Sequence, residues 1–575
     1  MISELQNRYT TRRLDLVIVL LLTMLAFWVR FDRIAGNSLT EDESAKVLAV
    51  QEYRQGHFAG VNSEHPMLMK ALAWASVEAG ERWNQNAVRK GWPVMALEGW
   101  LRLPNVLFGT GIAAVLYLLC RQLMGLFGSF TAGYFFAISP MPVAFNRITK
   151  EETAVTFFTL LACYFYLLAK RASSERRKTI WVDLSAFSFG FAMASQYLLH
   201  LFGLNALAWL IAAHRGVDRR TRRVNTMRLM VVFVLAFLLA NPLLLSPASF
   251  SAIVTWLHHG SVHHSGYDFG GKLYLNFPSL LFWGVPWYYY LWFFFVKTPI
   301  PVLAAMIAGS LLLLRDRKTF ASCLFLAYGV IQLAGLSISG AKWMRYTMPM
   351  LPFFMLAAGY AMDKAWELMR ARSVPRVLMA FSAIVICGWP LLELHAWAPN
   401  YAFYQNAFGG GTRNICRYFS PDEVSEFDSR EVAHQVCLTA PLHARLVTAR
   451  PMSMAHYVHQ QFNRPDIAVV PIYDPQYVPR NGDVIVVEPS RRFFETSEMI
   501  DLLKQSGMPR QEVHYGPVTA SVIYHFQLPA PATGGEFLLA NSRDARPMLK
   551  PRDVDQNTAG SPMAAGRHGF QIGRP

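Results

Sequence analysis

The chain has 575 residues, of which 53% are hydrophobic, 14% aromatic and only 16% charged. That balance excludes an ordinary soluble globular protein and fits a multi-span membrane protein carrying some polar domain. The formal net charge of +16 does not indicate a nucleic-acid binder, because the basic residues fall in short clusters between apolar runs, the pattern of cytoplasmic loops.

In chain order, Arg8, Arg12 and Arg13 precede an apolar stretch from about Leu14 to Phe31. It is too long for a signal-peptide core and no small-residue cleavage site follows, so it is expected to be an uncleaved first span. A span needs about 20 apolar residues. Further spans are expected near 101–120, 124–143, 153–169, 180–196, 198–213, 228–246, 299–314, 319–338, 346–363 and 377–394, eleven in all. The run 180–213 is too long for one pass and is divided into two. With the N-terminus inside, that division puts the basic clusters at 170–178, 215–228, 315–318 and 370–376 on the cytoplasmic side.

The expected architecture is therefore an α-helical multi-pass membrane protein, N-in and C-out, whose membrane part covers 1–394. Segments 32–100, 144–152, 247–298 and 339–345 fall on the outer face. Residues 395–530 read as a small extracytoplasmic α/β domain. Its strand-like runs are at 444–449, 467–473, 483–488 and 519–526, with helix-like "SREVAHQV" and "ETSEMIDLLKQ" among them. From 531 to 575 the composition turns to Gly, Pro, Ala and scattered charge, and a disordered tail is expected. Six cysteines lie far apart without metal-ligand spacing; Cys416 and Cys437, both in the polar C-terminal region, are a candidate disulfide.

Chemistry concentrates in the outer segments. Thr40-Glu41-Asp42-Glu43 matches a capping box, with Thr40 as cap and Glu43 reaching back. The box does not use Asp42, which is left to face a cleft. "FNRITKEETAVTFF" repeats the pattern with Thr149 and Glu152, with Glu151 adjacent. "EHPMLMKAL" brings His65 and Lys70 to the same side. "SGAKWMRYTMPMLP" places Lys342 and Arg345 at the mouth of a span. A charge inside a span costs roughly 2.5–3.5 kcal/mol, so Arg345 is expected to have an anionic partner unless it snorkels as an anchor. "HHGSVHH" carries His258, His259, His263 and His264, which either cover the cleft on its acceptor side or hold a divalent metal ion such as zinc. Carboxylates able to activate an acceptor, beside cations able to hold a lipid phosphate, suit a membrane cleft for phosphate-linked chemistry.

These residues resemble the protein O-mannosyltransferase family and its relatives among GT-C-fold transferases that use lipid-linked sugars, including the aminoarabinose transferases. The likeness rests on a long outer loop with Asp-Glu, on His-Pro-x-Leu-x-Lys, and on Arg147 five residues before Glu152. "PWYYYLWFFFVKTPIPVL", "KWMRYTMPMLP" and "APNYAFYQNAFGGG" add to it, over roughly residues 14–420. Two departures stand: the family's His-Pro-Pro is His-Pro-Met here, and many members have Asp where this chain has Glu152. Segment 247–298 is too short for the sugar-binding MIR domain of eukaryotic members, which points to a bacterial-type enzyme of the inner membrane. The resemblance implies inverting transfer of a sugar from a polyprenyl-phosphate donor to a hydroxyl of a protein, lipid or glycan. Asp42 would be the general base, Glu43 would orient it or cap the helix, and Glu151 or Glu152 would be the second acid, with Arg147 in support. His65, Lys70, Arg147, Lys342 and Arg345 would bind donor phosphate or sugar. A transporter or flippase of a lipid-linked envelope precursor is the alternative, but it would bury its ionisable groups near the midplane. A scaffold protein using the α/β domain would leave the paired acid loops unexplained.

Overall fold

The computed structural model describes residues 2–58, 60, 65–196, 218–251, 254, 266–277, 280–316, 319–419, 426–474, 476–489, 491–515 and 518–527. The described residues up to 526 form one compact unit. The expected span at 198–213, the four histidines at 258–264 and the tail from 531 lie outside the described residues.

The membrane part runs α1 (Ile2–Phe31), α2 (Glu41–Arg54), α3 (Met67–Lys90), α4 (Leu97–Arg121), α5 (Leu126–Ile138), α6 (Pro140–Asn146), α7 (Glu151–Arg171), α8 (Glu175–Ser195) and α9 (Arg219–Ala240). After the hairpin β1 (Tyr267–Phe269) and β2 (Lys272–Tyr274) come α10 (Tyr289–Lys297), α11 (Ile300–Arg315), α12 (Phe320–Ile338), α13 (Leu351–Ala371) and α14 (Arg376–Ala396). Among the described residues, six helices are long and apolar enough to cross a membrane: α1 from Arg13, α4, α7, α9, α12 and α14. The pair α5–α6, bent by 58°, makes a seventh if read as one broken span. Every other expected span that is described lies on a helix, but length and hydropathy alone do not carry the count to eleven. Helix α11 has 16 residues, while α8 and α13 each carry several charges.

Helices α4 and α7 are interior, with 67% of their apolar windows buried, whereas α1 and α14 bury 22% and 17%. Leu16, Leu20, Met24 and Trp28 on α1 form an exposed apolar ridge at helical spacing, which suits lipid. Two proline breaks are satisfied by side chains from neighbouring helices. Pro140 has no N–H for the carbonyl of Phe136, and Arg30 of α1 donates to that oxygen (3.2 Å), to Ala137 O (3.0 Å) and to Asn146 Oδ1 (2.9 Å). Pro104 inside α4 likewise frees Trp100 O, which accepts the Ser76 hydroxyl at 2.6 Å.

The C-terminal part contains α15 (Ser429–Thr439), β3 (Arg445–Thr448), α16 (Pro451–Ala455), β4 (Ala468–Pro471), β5 (Val484–Val487), α17 (Phe494–Gln505), β6 (Arg510–Tyr515) and β7 (Val518–His525). The sheet order is β4-β3-β5-β7-β6. Strand β3 is parallel to β4 and β5, and β7 is antiparallel to β5 and β6. Strand β6, "RQEVHY", is one the sequence did not announce. One apolar cluster joins Leu39, Val47 and Val77 of segment 32–100 to Val432, Leu446, Val484 and Ile523 of the sheet layer.

Cys416 and Cys437 are not joined, so the candidate disulfide does not form. Cys437 packs against the cluster beneath the sheet, whereas Ile415 and Tyr418, flanking Cys416, pack against the helical core.

Candidate active site

The first acid loop forms the box its sequence predicts. The Glu43 N–H donates to Thr40 Oγ1 (3.1 Å) and the Thr40 N–H donates to Glu43 Oε2 (3.0 Å). Three consecutive acids at a helix start must diverge, because successive side chains leave the axis about 100° apart. Glu43 points inward and is fully buried. It accepts Arg102 Nε (2.9 Å) and Nη2 (2.8 Å), and also the Thr149 N–H (2.9 Å). Burial alone would raise its pKa, but the Arg102 guanidinium overrides this and holds the carboxyl below its ordinary value. Glu41 turns toward the sheet layer and accepts the N–H groups of Met452 and Ser453 at the start of α16, both at 2.9 Å. Asp42 lies between them with a half-exposed carboxylate, ion-paired to Lys150.

The second acid loop corrects one expectation. Thr149 does not cap α7: its hydroxyl donates to Leu101 O at 3.0 Å, the N-cap is Lys150, and Asn105 of α4 donates to the carbonyls of Ile148 and Lys150. Residues 101–105 of α4 thus fix both acid loops. Glu151 and Glu152 open α7, both buried. Glu151 pairs with Lys46 Nζ at 3.0 Å and lies 3.9 Å from His65 Nδ1. Glu152 Oε1 lies 3.3 Å from Arg345 Nε, so Arg345 has an anionic partner. Glu152 Oε2 is buried with no hydrogen-bond partner among the described residues. Burial, followed by the nearby Arg345 charge, pushes the Lys150 amine down to about 7.

The Arg345 guanidinium lies 4.8 Å from the Trp343 ring centroid and 5.7 Å from that of Tyr346, which fixes its plane. Lys342 donates its ammonium to the Ser339 carbonyl, and burial pushes it down to about 8. Lys70 is buried in the first turn of α3. Arg147 departs from its expected place beside Glu152. Its guanidinium clamps the C-terminus of α1, donating to the carbonyls of Arg30 (3.0 Å), Asp32 (2.6 Å) and Arg33 (3.1 Å). No group of three or more His, Cys, Asp or Glu side chains among the described residues is placed to hold a metal ion.

Asp42, His65, Glu151, Glu152 and Arg345 thus meet around Lys46 and Lys150, two lysines that sequence reasoning missed. Lys46 had a signal, since it stands four residues after Asp42 on the same helix face. Arg102 had a weaker one, a cation in an otherwise apolar helix. The arrangement offers one exposed carboxylate beside buried acids, each held by a cation, with Arg345 facing the same cluster.

Two family models match the chain. Residues 95–245 match dolichyl-phosphate-mannose-protein mannosyltransferase, and residues 278–445 match the Alg9-like mannosyltransferase family. YkcB of Bacillus subtilis (strain 168), a mannosyltransferase homologue, is 28% identical over 130 residues, 22% of this chain. The match spans 18% of that relative's length. Crystal structures of ArnT from Cupriavidus metallidurans are similar in fold. The form bound to undecaprenyl phosphate has a TM-score of 0.50 at 14% identity, and the apo form 0.51 at 13%. Each match covers 88% of this chain and 97% of ArnT. Two mannosyltransferase family models thus match separate parts of a multi-helix chain that is similar in fold to ArnT.

Proposed function

We propose that this protein is an inverting glycosyltransferase that moves a sugar from a polyprenyl-phosphate donor to an acceptor hydroxyl on the outer face of a bacterial inner membrane. The observation that carries this reading is the contrast within the acid cluster. Asp42 presents a half-exposed carboxylate, while Glu43, Glu151 and Glu152 are buried against Arg102, Lys46 and Arg345.

In this mechanism the acceptor oxygen attacks the anomeric carbon as the bond to the lipid phosphate breaks, and Asp42 takes the hydroxyl proton. Its carboxylate must be within hydrogen-bond reach of the acceptor, and the ion pair with Lys150 competes with that contact. Arg345 and Lys342 neutralise the departing phosphate, the guanidinium as a planar fork and the ammonium as a point charge. Glu152 keeps Arg345 in place and offers its unpartnered oxygen to the acceptor or sugar. His65 and Lys70 line the donor side, and Lys46 keeps Glu151 ionised. Eleven spans, N-in and C-out, would place both acid loops and the α/β domain on the outer face.

The test is incubation of purified protein with a labelled polyprenyl-phosphate sugar and separated membrane fractions. The expected result is label in a protein, lipid or glycan fraction with inverted anomeric configuration. Label that crosses the bilayer still attached to its lipid would instead identify a flippase.

A further inference from the structure

The far end of α7 holds a second polar feature that the transferase reading does not use. Glu151 and Lys170 lie at opposite ends of this helix, about 30 Å apart at 1.5 Å per residue, so Lys170 is at the other membrane face from the acids. There a cavity of about 470 Å³ opens where α4, α7 and α11 end and α12 begins, against the middle of α13. Its size falls in the range of about 300–1,000 Å³ typical of small-ligand sites.

Its lining has two parts. Leu123, Leu167 and Phe320 make an apolar wall. Lys170, Arg171 and Lys364 bring three cations against one carboxylate, Asp316, which accepts the Tyr360 hydroxyl at 3.2 Å. Lys364 is shared with the exposed Glu367 at 2.8 Å, and Arg171 donates to the Gln122 side chain at 3.2 Å. Lys170 has no carboxylate partner among the described residues. Its ammonium lies 4.8 Å from the Phe320 ring centroid and 5.4 Å from that of Tyr166. Two aromatic faces thus hold a cation at the depth where lipid phosphates lie. Basic pockets between membrane helices are the usual recognition device for anionic headgroups.

We propose that this cavity binds one anionic glycerophospholipid, its phosphodiester between Lys170, Arg171 and Lys364 and its acyl chains along the apolar wall. Wild-type protein, a Lys170→Ala/Lys364→Ala variant and a Lys170→Arg/Lys364→Arg variant would be reconstituted in phosphatidylcholine nanodiscs containing a minor fraction of dioleoyl phosphatidylglycerol. Retained lipid would be counted by native mass spectrometry after detergent transfer. We expect one phosphatidylglycerol per wild-type chain, affinity weaker by about tenfold or more in the alanine variant, and retention in the arginine variant, since each surface cation contributes about 1 kcal/mol to attraction of anionic lipid. Equal retention of phosphatidylcholine, or an alanine variant that binds like wild type, would overturn the assignment. Displacement of phosphatidylglycerol by sodium phosphate would make free phosphate the ligand and sink the lipid proposal.

Discussion

Asp42 and Glu43 are neighbours in sequence with opposite surroundings, and their variants should fail in different ways. Asp42→Asn keeps the shape but cannot take a proton, so single-turnover rate should fall by about 10²-fold or more, with donor affinity and melting temperature nearly unchanged. From sequence alone, Glu43→Gln looks mild, since glutamine can close a capping box. The buried Arg102 changes that expectation. An uncompensated buried guanidinium costs about 3–5 kcal/mol, so Glu43→Gln should lower the melting temperature sharply; a variant that melts like wild type would disprove the keystone role. Lys150 supplies the pH dependence. Above about 7 its amine is neutral, the pair with Asp42 weakens, and the carboxylate becomes both freer and more basic. Turnover should therefore rise with pH through that value. Lys150→Met should remain at the high-pH rate across the same window, and Lys150→Arg should remain low. An inflection that persists in Lys150→Met would assign it to another group. The sequence displayed the acids because a capping box is local. It did not show which cation meets which acid, because Arg102, Lys46 and Arg345 reach them through the tertiary fold.

At the scale of elements, the reading fared best where one periodicity dominated. The apolar runs among the described residues became helices, and four strand-like runs became β3, β4, β5 and β7. Strand β6 escaped because "RQEVHY" has little apolar alternation, with Val513 buried among polar neighbours, and is recognisable from its pairing with β7. The second Thr-x-x-Glu failed as a box because Thr149 and Glu152 found longer-range partners in Leu101 and Arg345. Two element-level predictions follow from such partners. Arg345→Ala should raise the apparent KM for donor, and Arg345→Lys should recover only part of it, because the planar fork is lost; unchanged donor affinity in the alanine variant would make Arg345 an anchor. Arg30→Leu should leave the carbonyls of Phe136 and Ala137 unpaired at the α5–α6 break. The cost is about 1–3 kcal/mol per buried group, to be read as lost thermal stability in detergent, and a stability equal to wild type would show that the break satisfies itself.

For the whole molecule, the proposed orientation is open to direct measurement. A membrane-impermeant maleimide applied from outside should label Leu442→Cys, in an exposed position before β3, and should not label Arg220→Cys near the start of α9. The reverse pattern would separate the acid loops from an outer-face donor and sink the mechanism together with the map. One feature reaches beyond orientation. Ser38, Leu39 and Glu41 are all bonded to the C-terminal part: the Ser38 hydroxyl to Phe427 O (2.9 Å), the Leu39 N–H to the Tyr457 hydroxyl (2.7 Å) and the Glu41 N–H to Glu426 (2.9 Å). The segment that carries Asp42 is therefore held both by Arg102 of α4 and by chain about 400 positions later. In evolutionary terms the two parts are not exchangeable cassettes. A recombinant that joined this membrane part to a foreign C-terminal domain would lose these three bonds, and with them the placement of Asp42.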